Sequence, residues 1–354
     1  MKKAETELTG VKEIARRANV SIGTVDRVIH NRKGVSENTR QKINSIIEEL
    51  NFQPNKMASL LASRKILNLA VLIPAVSNET DYWLYPLNGI KQAAAEIKQF
   101  GVTVKYYFYD LDSKASFHSS AEELLHDEPH GILIAPSFVE ESISLAKKIH
   151  ELGLPLAFIN SDLPNQENLT YIGPELYQSG KLAAQLISFI IQPQDNILAV
   201  NIATDLENNH HLLRKEQGFK KFFEEAKKPN QVISLNINET KLAAVEKSLL
   251  SFLSADSGIK AIFVTNSRVN IIAKILEKHN RKDILLIGYD FLKKNISYLE
   301  SGQITFLICQ RPKEQGYLGI LALYKHLFKI SEVERSVYMP IDIITKENYQ
   351  FYNG

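Results

Sequence analysis

One short run constrains the fold more than any other part of the chain. Residues 20–31 read VSIGTVDRVIHN, and Ser21 has the side chain of a helix-capping residue. The apolar side chains of one helical stripe follow at Val25, Val28 and Ile29. A second apolar helical pattern begins just upstream at Thr9, and a turn at residues 18–20 separates the two. Two short helices joined by such a turn form a helix-turn-helix, whose second helix can lie in the major groove of DNA.

The residues off this stripe form the predicted DNA-contacting surface. The N-terminal end of the second helix is expected to reach base edges, Arg27 suits a guanine edge or a phosphate, and the residues that follow suit phosphate oxygens. The predicted contacts in this region are Thr9, Ser21, Ile22, Gly23, Thr24, Arg27, His30, Asn31, Ser36 and Thr39.

Two residues of the second helix have alternative interpretations. Gly23 costs about 1 kcal/mol of helix stability relative to alanine. Either its bare surface lets the helix approach DNA closely, or it is a tolerated weak residue. Asp26 would repel phosphates, so we expect it to pair with Arg27 or a nearby lysine; the alternative is that it accepts a hydrogen bond from a cytosine amine.

The charge distribution separates this region from the rest of the chain. Residues 1–66 carry 13 Lys and Arg against 7 Asp and Glu, whereas the remainder carries 29 against 33. A basic head on a mildly acidic body indicates that only the head meets a polyanion.

The head continues into a third helix and then into a short, conditional one. Ser36 can cap the third helix, whose apolar stripe is Ile43, Ile46, Ile47 and Leu50. The segment 56–62, KMASLLA, follows Pro54 and is too short to be a stable helix alone in water. It is therefore expected to fold only when something packs on it.

From Asn68 onward, short β-rich runs alternate with helical patterns. The predicted strands are Leu69–Pro74, Val102–Tyr109, Gly131–Pro136, Leu154–Asn160, Ile197–Ala203, Val232–Ile237, Lys260–Thr265, Ile284–Gly288 and Ile304–Cys309. This alternation, with continuous apolar strands, is typical of parallel sheets covered by helices on both faces. The region is large for one such sheet, so we predict two lobes, divided near residues 173–174.

Several function classes are excluded or disfavoured by composition. The longest apolar runs are too short to span a membrane, and residues 1–8 are charged without an apolar stretch behind them, so no signal peptide is expected. The chain has one cysteine, Cys309, so an internal disulfide or a thiolate metal cluster is not expected. These features fit a cytoplasmic protein.

Residues 11–62 resemble the N-terminal region of the LacI/GalR family of bacterial transcription regulators. The resemblance is carried, in order and spacing, by KEIARRANVSIGTVDRVIHN, VSENTRQKI and ELNFQPNKMASLLA. It implies that the short helix is a hinge folding against operator DNA, with Leu61 as a wedge in the minor groove. The hinge residues predicted to contact DNA are Asn55, Ala58 and Leu61. Asp26 departs from the small hydroxyl residue usual in the family, which affects the base preference.

The resemblance continues more weakly through the rest of the chain. It implies an α/β effector domain like a periplasmic sugar-binding protein, with two lobes, three crossovers and a cleft lined by loops at strand ends. The predicted effector contacts are Asn78, Asp81, Tyr82, Trp83, Ser137, Asn160, Asp162, Arg214, Lys215, Asn266, Asp290 and Gln310. Carboxylates and amides can pair with sugar hydroxyls, and aromatic rings can stack on the apolar face. For Ser137, Asp162 and Asn266, helix capping is the alternative.

The family pattern is broken at two cleft positions. Where the family often has an arginine three residues before a glycine–aromatic pair, the chain has Lys215, with Arg214 just ahead. Where an aspartate often follows the asparagine at 266, the chain has Ser267. The adjacent histidines 210 and 211 point in different directions on a helix, so a metal site is not expected there.

These observations predict an all-α helix-turn-helix domain over 1–53, a hinge and linker over 54–66, and an effector-binding and dimerisation domain over 67–354. The first lobe is expected to comprise about 67–172 plus 310–335, and the second about 173–309 plus 336–354. We expect no catalytic residues, no metal and no cofactor.

The predicted function is that of a homodimeric repressor that binds pseudo-palindromic operator DNA. It is predicted to respond to a small-molecule effector, and a sugar is the first candidate. A nucleoside or other metabolite is the alternative effector. A sugar-binding protein or sugar kinase with an accessory DNA-binding head is a rival, but the sequence shows no glycine-rich phosphate loop. A hydrolase would need a recognisable nucleophile or carboxylate pair. A transport receptor would need a signal peptide and no DNA-binding head.

Overall fold

The computed structural model describes residues 10–29, 31–52, 66–77, 81–163, 165–206, 209–253 and 258–352. The chain divides into two compact units, Met1–Arg64 and Lys65–Gly354. Within the described ranges, no helix is long and apolar enough to cross a membrane.

The first unit contains the predicted helix-turn-helix and a third helix: α1 (Val11–Ala18), α2 (Ile22–Ile29) and α3 (Glu37–Glu49). Asn19 ends α1 in the left-handed conformation, with φ 57°, which turns the chain toward α2. The three apolar stripes close on one another through Ile14, Val25, Val28, Ile43 and Ile46, all buried. The three helices of the head therefore share one small apolar core.

The second unit begins with the elements of the first lobe. They are β1 (Leu67–Pro74), α4 (Leu84–Ile97), β2 (Val102–Tyr109), α5 (Lys114–His126), β3 (Gly131–Ile134), α6 (Val139–Glu151), β4 (Leu156–Ile159) and β5 (Thr170–Gly173). The strands of this sheet are nearly all apolar, because helices cover both faces.

The second lobe follows the same plan. Its elements are α7 (Leu176–Ser188), β6 (Asn196–Ile202), α8 (His210–Glu225), β7 (Val232–Ile237), α9 (Leu242–Phe252), β8 (Ile259–Val264), α10 (Val269–Lys278), β9 (Leu285–Tyr289), α11 (Lys293–Glu300) and β10 (Phe306–Cys309). The chain ends with α12 (Pro312–Leu327), β11 (Ser336–Tyr338) and β12 (Asp342–Ile344).

The described strands form two six-stranded sheets with orders β11-β5-β4-β3-β1-β2 and β12-β10-β9-β8-β6-β7. All described pairings are parallel except that of β10 with β12. In each sheet the second strand in sequence lies at the edge and the chain then returns past the first. This reversal opens a crevice at the carboxyl ends of the strands, where α/β proteins bind ligands.

The chain passes between the lobes after β5, after β10 and after β11. The last passage comes later than predicted: residues 336–338 pair with Thr170–Gly173 in the first sheet, so the return to the second lobe lies at about residues 339–342. The predicted start of the final second-lobe segment, at residue 336, was therefore wrong. The predicted fold class is confirmed: a helical head followed by two parallel-sheet lobes.

Candidate functional site

The first candidate surface is the N-terminal end of α2 in the head. Ser21 Oγ accepts from the Thr24 amide at 3.1 Å and lies 2.9 Å from Thr24 Oγ1, so the predicted cap is present. Ile22 is 50% exposed although it is apolar, and Gly23 and Arg27 are exposed too. The buried stripe holds the opposite side of the helix, which leaves these residues on an open face.

Within the described part of the head, packing does not require a glycine at position 23. A Cβ added there would meet Ser21 Oγ at 3.8 Å and nothing closer. The neighbouring Asp26 accepts a hydrogen bond from Arg32 Nη1 at 3.2 Å, so an arginine six residues on is one of its cationic partners. Arg27 is exposed on the same helix and adds a positive charge to its surface.

The predicted phosphate contacts lie after α2 and at the start of α3. Ser36 caps α3 by accepting from the Thr39 amide at 3.3 Å, and the two hydroxyls lie 2.8 Å apart. Asn31 has φ 51° and accepts from Arg40 at 2.9 Å. The predicted contacts Thr9, His30, Asn55, Ala58 and Leu61 lie outside the described residues. Gly10 is the residue that precedes α1, so this helix begins after Gly10 and not at Thr9, where its pattern was predicted to begin.

The second candidate site is a cleft between the two lobes of the second unit. Its lining comes from loops that follow β1, β2, β3 and β4 in the first lobe and β6, β8, β9 and β10 in the second, and from the first turns of α8. The predicted residues that line it are Tyr82, Trp83, Ser137, Asn160, Lys215, Asn266, Asp290 and Gln310. The common position of these loops at the carboxyl ends of parallel strands explains why residues so distant in sequence meet.

On the first-lobe side, an aromatic pair forms the wall. The rings of Tyr82 and Trp83 meet edge to face, with centroids 5.1 Å apart, and both side chains are buried. Tyr82 donates its hydroxyl to Asn160 Oδ1 at 2.7 Å. Tyr109 lies within 2.8 Å of Ser137 Oγ and thereby positions that hydroxyl. This wall can pack on the apolar face of a ring-shaped ligand.

On the second-lobe side, a buried lysine lies against an aromatic ring. Lys215 is 4% exposed, its Nζ lies 3.7 Å from the centre of the Tyr289 ring, and it donates to the Thr265 carbonyl at 3.3 Å. Burial lowers the pKa of Lys215 to about 8, against the opposing effect of Asp290. The ammonium group therefore remains largely protonated at neutral pH.

A carboxylate and an amide adjoin at the ends of β9 and β10. Gln310 Nε2 donates to Asp290 Oδ1 at 3.3 Å, and both side chains are buried. Burial raises the pKa of Asp290 to about 6, while Lys215 and this hydrogen bond act in the other direction. Gln310 Oε1 is buried without a hydrogen-bond donor from the described residues. Oxygen atoms that can accept from ligand hydroxyls thus lie at this end of the cleft.

Three predicted effector contacts that the structure describes do not line the cleft. Asp162 is exposed, and Asp81 lies outside the lining, next to Tyr82 in the chain. Arg214 turns away from the cleft toward Glu175, 3.8 Å distant, because it lies one residue around the helix from Lys215. Asn78, also predicted, lies outside the described residues.

Four polar lining residues were not among the predicted contacts: Asn209, His211, Ser267 and Arg268. His211 lies one helical turn before Lys215, and this i,i+4 spacing was the available sequence signal. Burial, with the charges of Lys215 and other neighbours, lowers the pKa of His211 to about 3, so the ring is neutral at pH 7. Arg268 precedes α10 and donates to the Ile202 carbonyl at 3.4 Å.

The cleft is narrow and is bridged from lobe to lobe. Thr204 donates to Asp112, and Tyr85 donates to the Phe291 carbonyl at 3.4 Å. The cavity volume is about 80 Å³, below the roughly 300 Å³ at the lower end of ordinary ligand sites. A ligand of sugar size therefore requires the lobes to separate or side chains to move.

Comparison with known proteins gives matches to both units. A model described as bacterial regulatory proteins, lacI family, matches residues 10–55, and a periplasmic binding protein domain matches residues 69–329. The catabolite control protein A of Staphylococcus epidermidis is 26% identical over 50% of the chain and 51% of its own length. The chain spans about half the length, or less, of the curated relatives it matches.

Solved structures are similar over about four fifths of the chain. A chain described as a LacI transcriptional regulator from Bacteroides fragilis is 28% identical, with TM-score 0.76, over 82% of this chain and 100% of that one. A solute-binding protein of an ABC transporter from Burkholderia graminis, in complex with D-arabinose, is 22% identical, with TM-score 0.72, over 82% of this chain and 99% of that one. The chain therefore belongs, over residues 69–329, to the periplasmic binding protein domain family, and it carries a helix-turn-helix head of the lacI family of bacterial regulatory proteins over residues 10–55.

Proposed function

We propose that this protein is a transcription regulator whose affinity for operator DNA is controlled by a small molecule bound in the cleft. The observation that carries the proposal is the presence, in one chain, of a basic head with an exposed recognition surface and a cleft lined by polar side chains from both lobes. The matched proteins include a catabolite control protein A and a LacI transcriptional regulator, which supports a role in control rather than catalysis.

The head is proposed to read DNA with α2. Its exposed N-terminal residues carry no bulky side chain at Gly23, so the helix backbone can come close to base edges. Arg27 adds a positive charge that suits a guanine edge or a phosphate. Two heads are proposed to bind a pseudo-palindromic site, since a single small head contacts too little DNA for strong specificity.

The cleft is proposed to bind the effector, and the bridge between the lobes makes it a suitable sensor. Opening the lobes breaks the Tyr85 contact with Phe291, and a ligand that prefers one lobe angle shifts the balance between angles. A sugar is the first class to test, because the fold neighbour from Burkholderia graminis holds D-arabinose. A nucleoside is the second class.

The proposal includes a homodimer joined through the second units, residence in the cytoplasm and the absence of catalytic activity. Repression is the proposed direction of control. The segment 54–66, which contains Leu61, is proposed to relay the lobe angle to the DNA, by the family resemblance.

The proposal is tested by selecting fragments of genomic DNA with the purified full-length protein. A regulator retains a few fragments far above random DNA, loses affinity steeply with salt and keeps a large ratio of specific to nonspecific binding. Retention of all fragments alike, with the same salt dependence, would contradict it.

A further inference from the structure

No described carboxylate is in direct contact with the charge of Lys215, and Asp290, in the same cleft lining, attracts it only at longer range. The Lys215 side chain is 4% exposed and lines the cleft, and no described carboxylate oxygen lies within 4.0 Å of Nζ. The described contacts are one carbonyl oxygen, of Thr265, and the face of the Tyr289 ring. A buried ammonium group that no carboxylate contacts directly destabilises a protein, so its retention in a ligand cleft indicates that it binds an anion.

The rest of the described lining is also biased toward positive potential. Its cationic side chains are Lys215 and Arg268, and its carboxylate is Asp290, whose pKa is raised by burial. The residues preceding α4, α8 and α10 (Trp83, Asn209 and Arg268) all line the cleft, and none of these described residues caps its helix with a side-chain hydrogen bond. The positive ends of three helix dipoles therefore add to the two cationic side chains.

A different chemistry is present at the end of β10. The buried Gln310 Oε1 lacks a hydrogen-bond donor from the described residues, and Asp290 beside it offers carboxylate oxygens. Both groups accept hydrogen bonds, so they suit ligand groups that donate, such as hydroxyls. The cleft thus combines an anion-binding side with a hydroxyl-binding side.

We infer that the ligand of this cleft is an anionic polyol, a sugar derivative whose carboxylate or phosphate binds Lys215 and whose hydroxyls donate to Asp290 and Gln310. The inference rests on the proposed function, because it names the effector class of the same cleft. A neutral sugar offers no anionic group to contact Lys215, so discrimination against it follows from the same geometry.

The test uses matched sets of neutral sugar, sugar acid and sugar phosphate with the full-length protein, for example glucose, glucuronate and glucose 6-phosphate, and the galactose and ribose equivalents. Thermal unfolding detects binding, and calorimetry gives the affinity. We expect at least one anionic member to raise the Tm at a concentration where its neutral counterpart does not. Response to the acid alone identifies a carboxylate, and response to the phosphate alone identifies a phosphate.

Lys215→Met is the informative variant, and Lys221→Met is its control. Lys221 lies on the same helix, with a half-exposed side chain paired to Glu224 at 3.2 Å. Lys215→Met should lower the affinity for the anionic ligand by at least about tenfold, and Lys221→Met should not. Circular dichroism and a cooperative thermal transition check that Lys215→Met is folded without ligand, which separates loss of binding from loss of fold.

The inference is overturned if neutral sugars bind as tightly as their anionic counterparts, if Lys215→Met keeps the preference for the anion, or if no anionic member of the sets binds. A neutral sugar that changes operator binding would overturn this inference and leave the proposed regulator intact. Failure of the proposed function has a separate sign, which is the absence of fragment selection in the DNA assay.

Discussion

The side-chain amide of Gln310 donates to Asp290 Oδ1 at 3.3 Å and joins the ends of two neighbouring strands inside the cleft. Gln310 is also the residue at which the chain leaves β10 for the first lobe, and its carbonyl accepts from Gln315 Nε2 at 2.7 Å, on α12. A ligand that touches Asp290 and Gln310 is therefore in contact with one of the segments that connect the lobes.

Replacing Asp290 by asparagine should change how stability depends on pH. The pKa of this carboxyl group is raised from 3.8 to about 6, chiefly by burial, so between these values the folded protein binds more protons than the unfolded chain. Its contribution to the free energy of unfolding is therefore present at low pH and is lost as pH rises toward about 6, by up to about 3 kcal/mol.

This dependence is measured by urea unfolding of wild type and Asp290→Asn across the acid range, with Asp162→Asn, an exposed carboxylate, as the control. The difference in unfolding free energy between wild type and Asp290→Asn should shift in favour of the variant as pH rises, whereas the control should run parallel to wild type. Parallel profiles for all three proteins would show that Asp290 titrates normally.

Gly23→Ala should strengthen the head and weaken its binding to DNA. Alanine favours a helix by about 1 kcal/mol over glycine, and the new methyl group meets nothing closer than Ser21 Oγ at 3.8 Å among the described atoms. Hydrogen exchange should show greater protection of α2 amides, while operator affinity falls because the methyl group occupies the open face. Unchanged affinity would mean that this face does not meet DNA.

Arg27→Ala should reduce operator affinity by about tenfold or more if the side chain reads a base edge. Random DNA should be affected less, since many phosphate contacts remain. Arg16→Ala is the charge-matched control, because Arg16 is on α1 and is paired with Glu13 at 2.6 Å. Fluorescence anisotropy at several salt concentrations distinguishes the two variants, and equal small effects of both on operator binding would exclude Arg27 as a specific contact.

Gly180→Ala should destabilise the second lobe and disturb the cleft together. A Cβ at Gly180 would overlap the carbonyl oxygen of Lys215, because α7 and α8 pack backbone against backbone. Such overpacking typically costs about 1–3 kcal/mol. Thermal unfolding measures this loss, and Gly10→Ala, where a new Cβ meets no described atom within 4 Å, is the control. An unchanged Tm and unchanged ligand affinity would show that the helices separate freely.

Much of the fold could be predicted because its elements have strong periodic patterns. The strands Val102–Tyr109 and Val232–Ile237 agree with the predicted bounds, and each end of the other predicted strands shifts by at most two residues. The strands Thr170–Gly173, Ser336–Tyr338 and Asp342–Ile344 were missed. They have three or four residues each, too few for an alternation to stand out.

The cleft was less predictable, because its residues meet only through tertiary structure. The strand-end rule placed Asp290 and Gln310, but it could not tell that Asp162 would be exposed. The choice between Arg214 and Lys215 depends on the rotation of α8, and only Lys215 lines the cleft. The lack of a direct contact between Lys215 and a described carboxylate cannot be seen in the sequence, since it depends on where every carboxylate comes to lie.

The most direct measurement determines operator affinity with and without the cleft ligand and ligand affinity with and without operator. The account predicts that the ligand changes operator affinity by some factor, that operator changes ligand affinity by the same factor, and that Asp290→Ala removes this coupling while operator binding persists. Operator affinity that stays the same at saturating ligand would contradict the account.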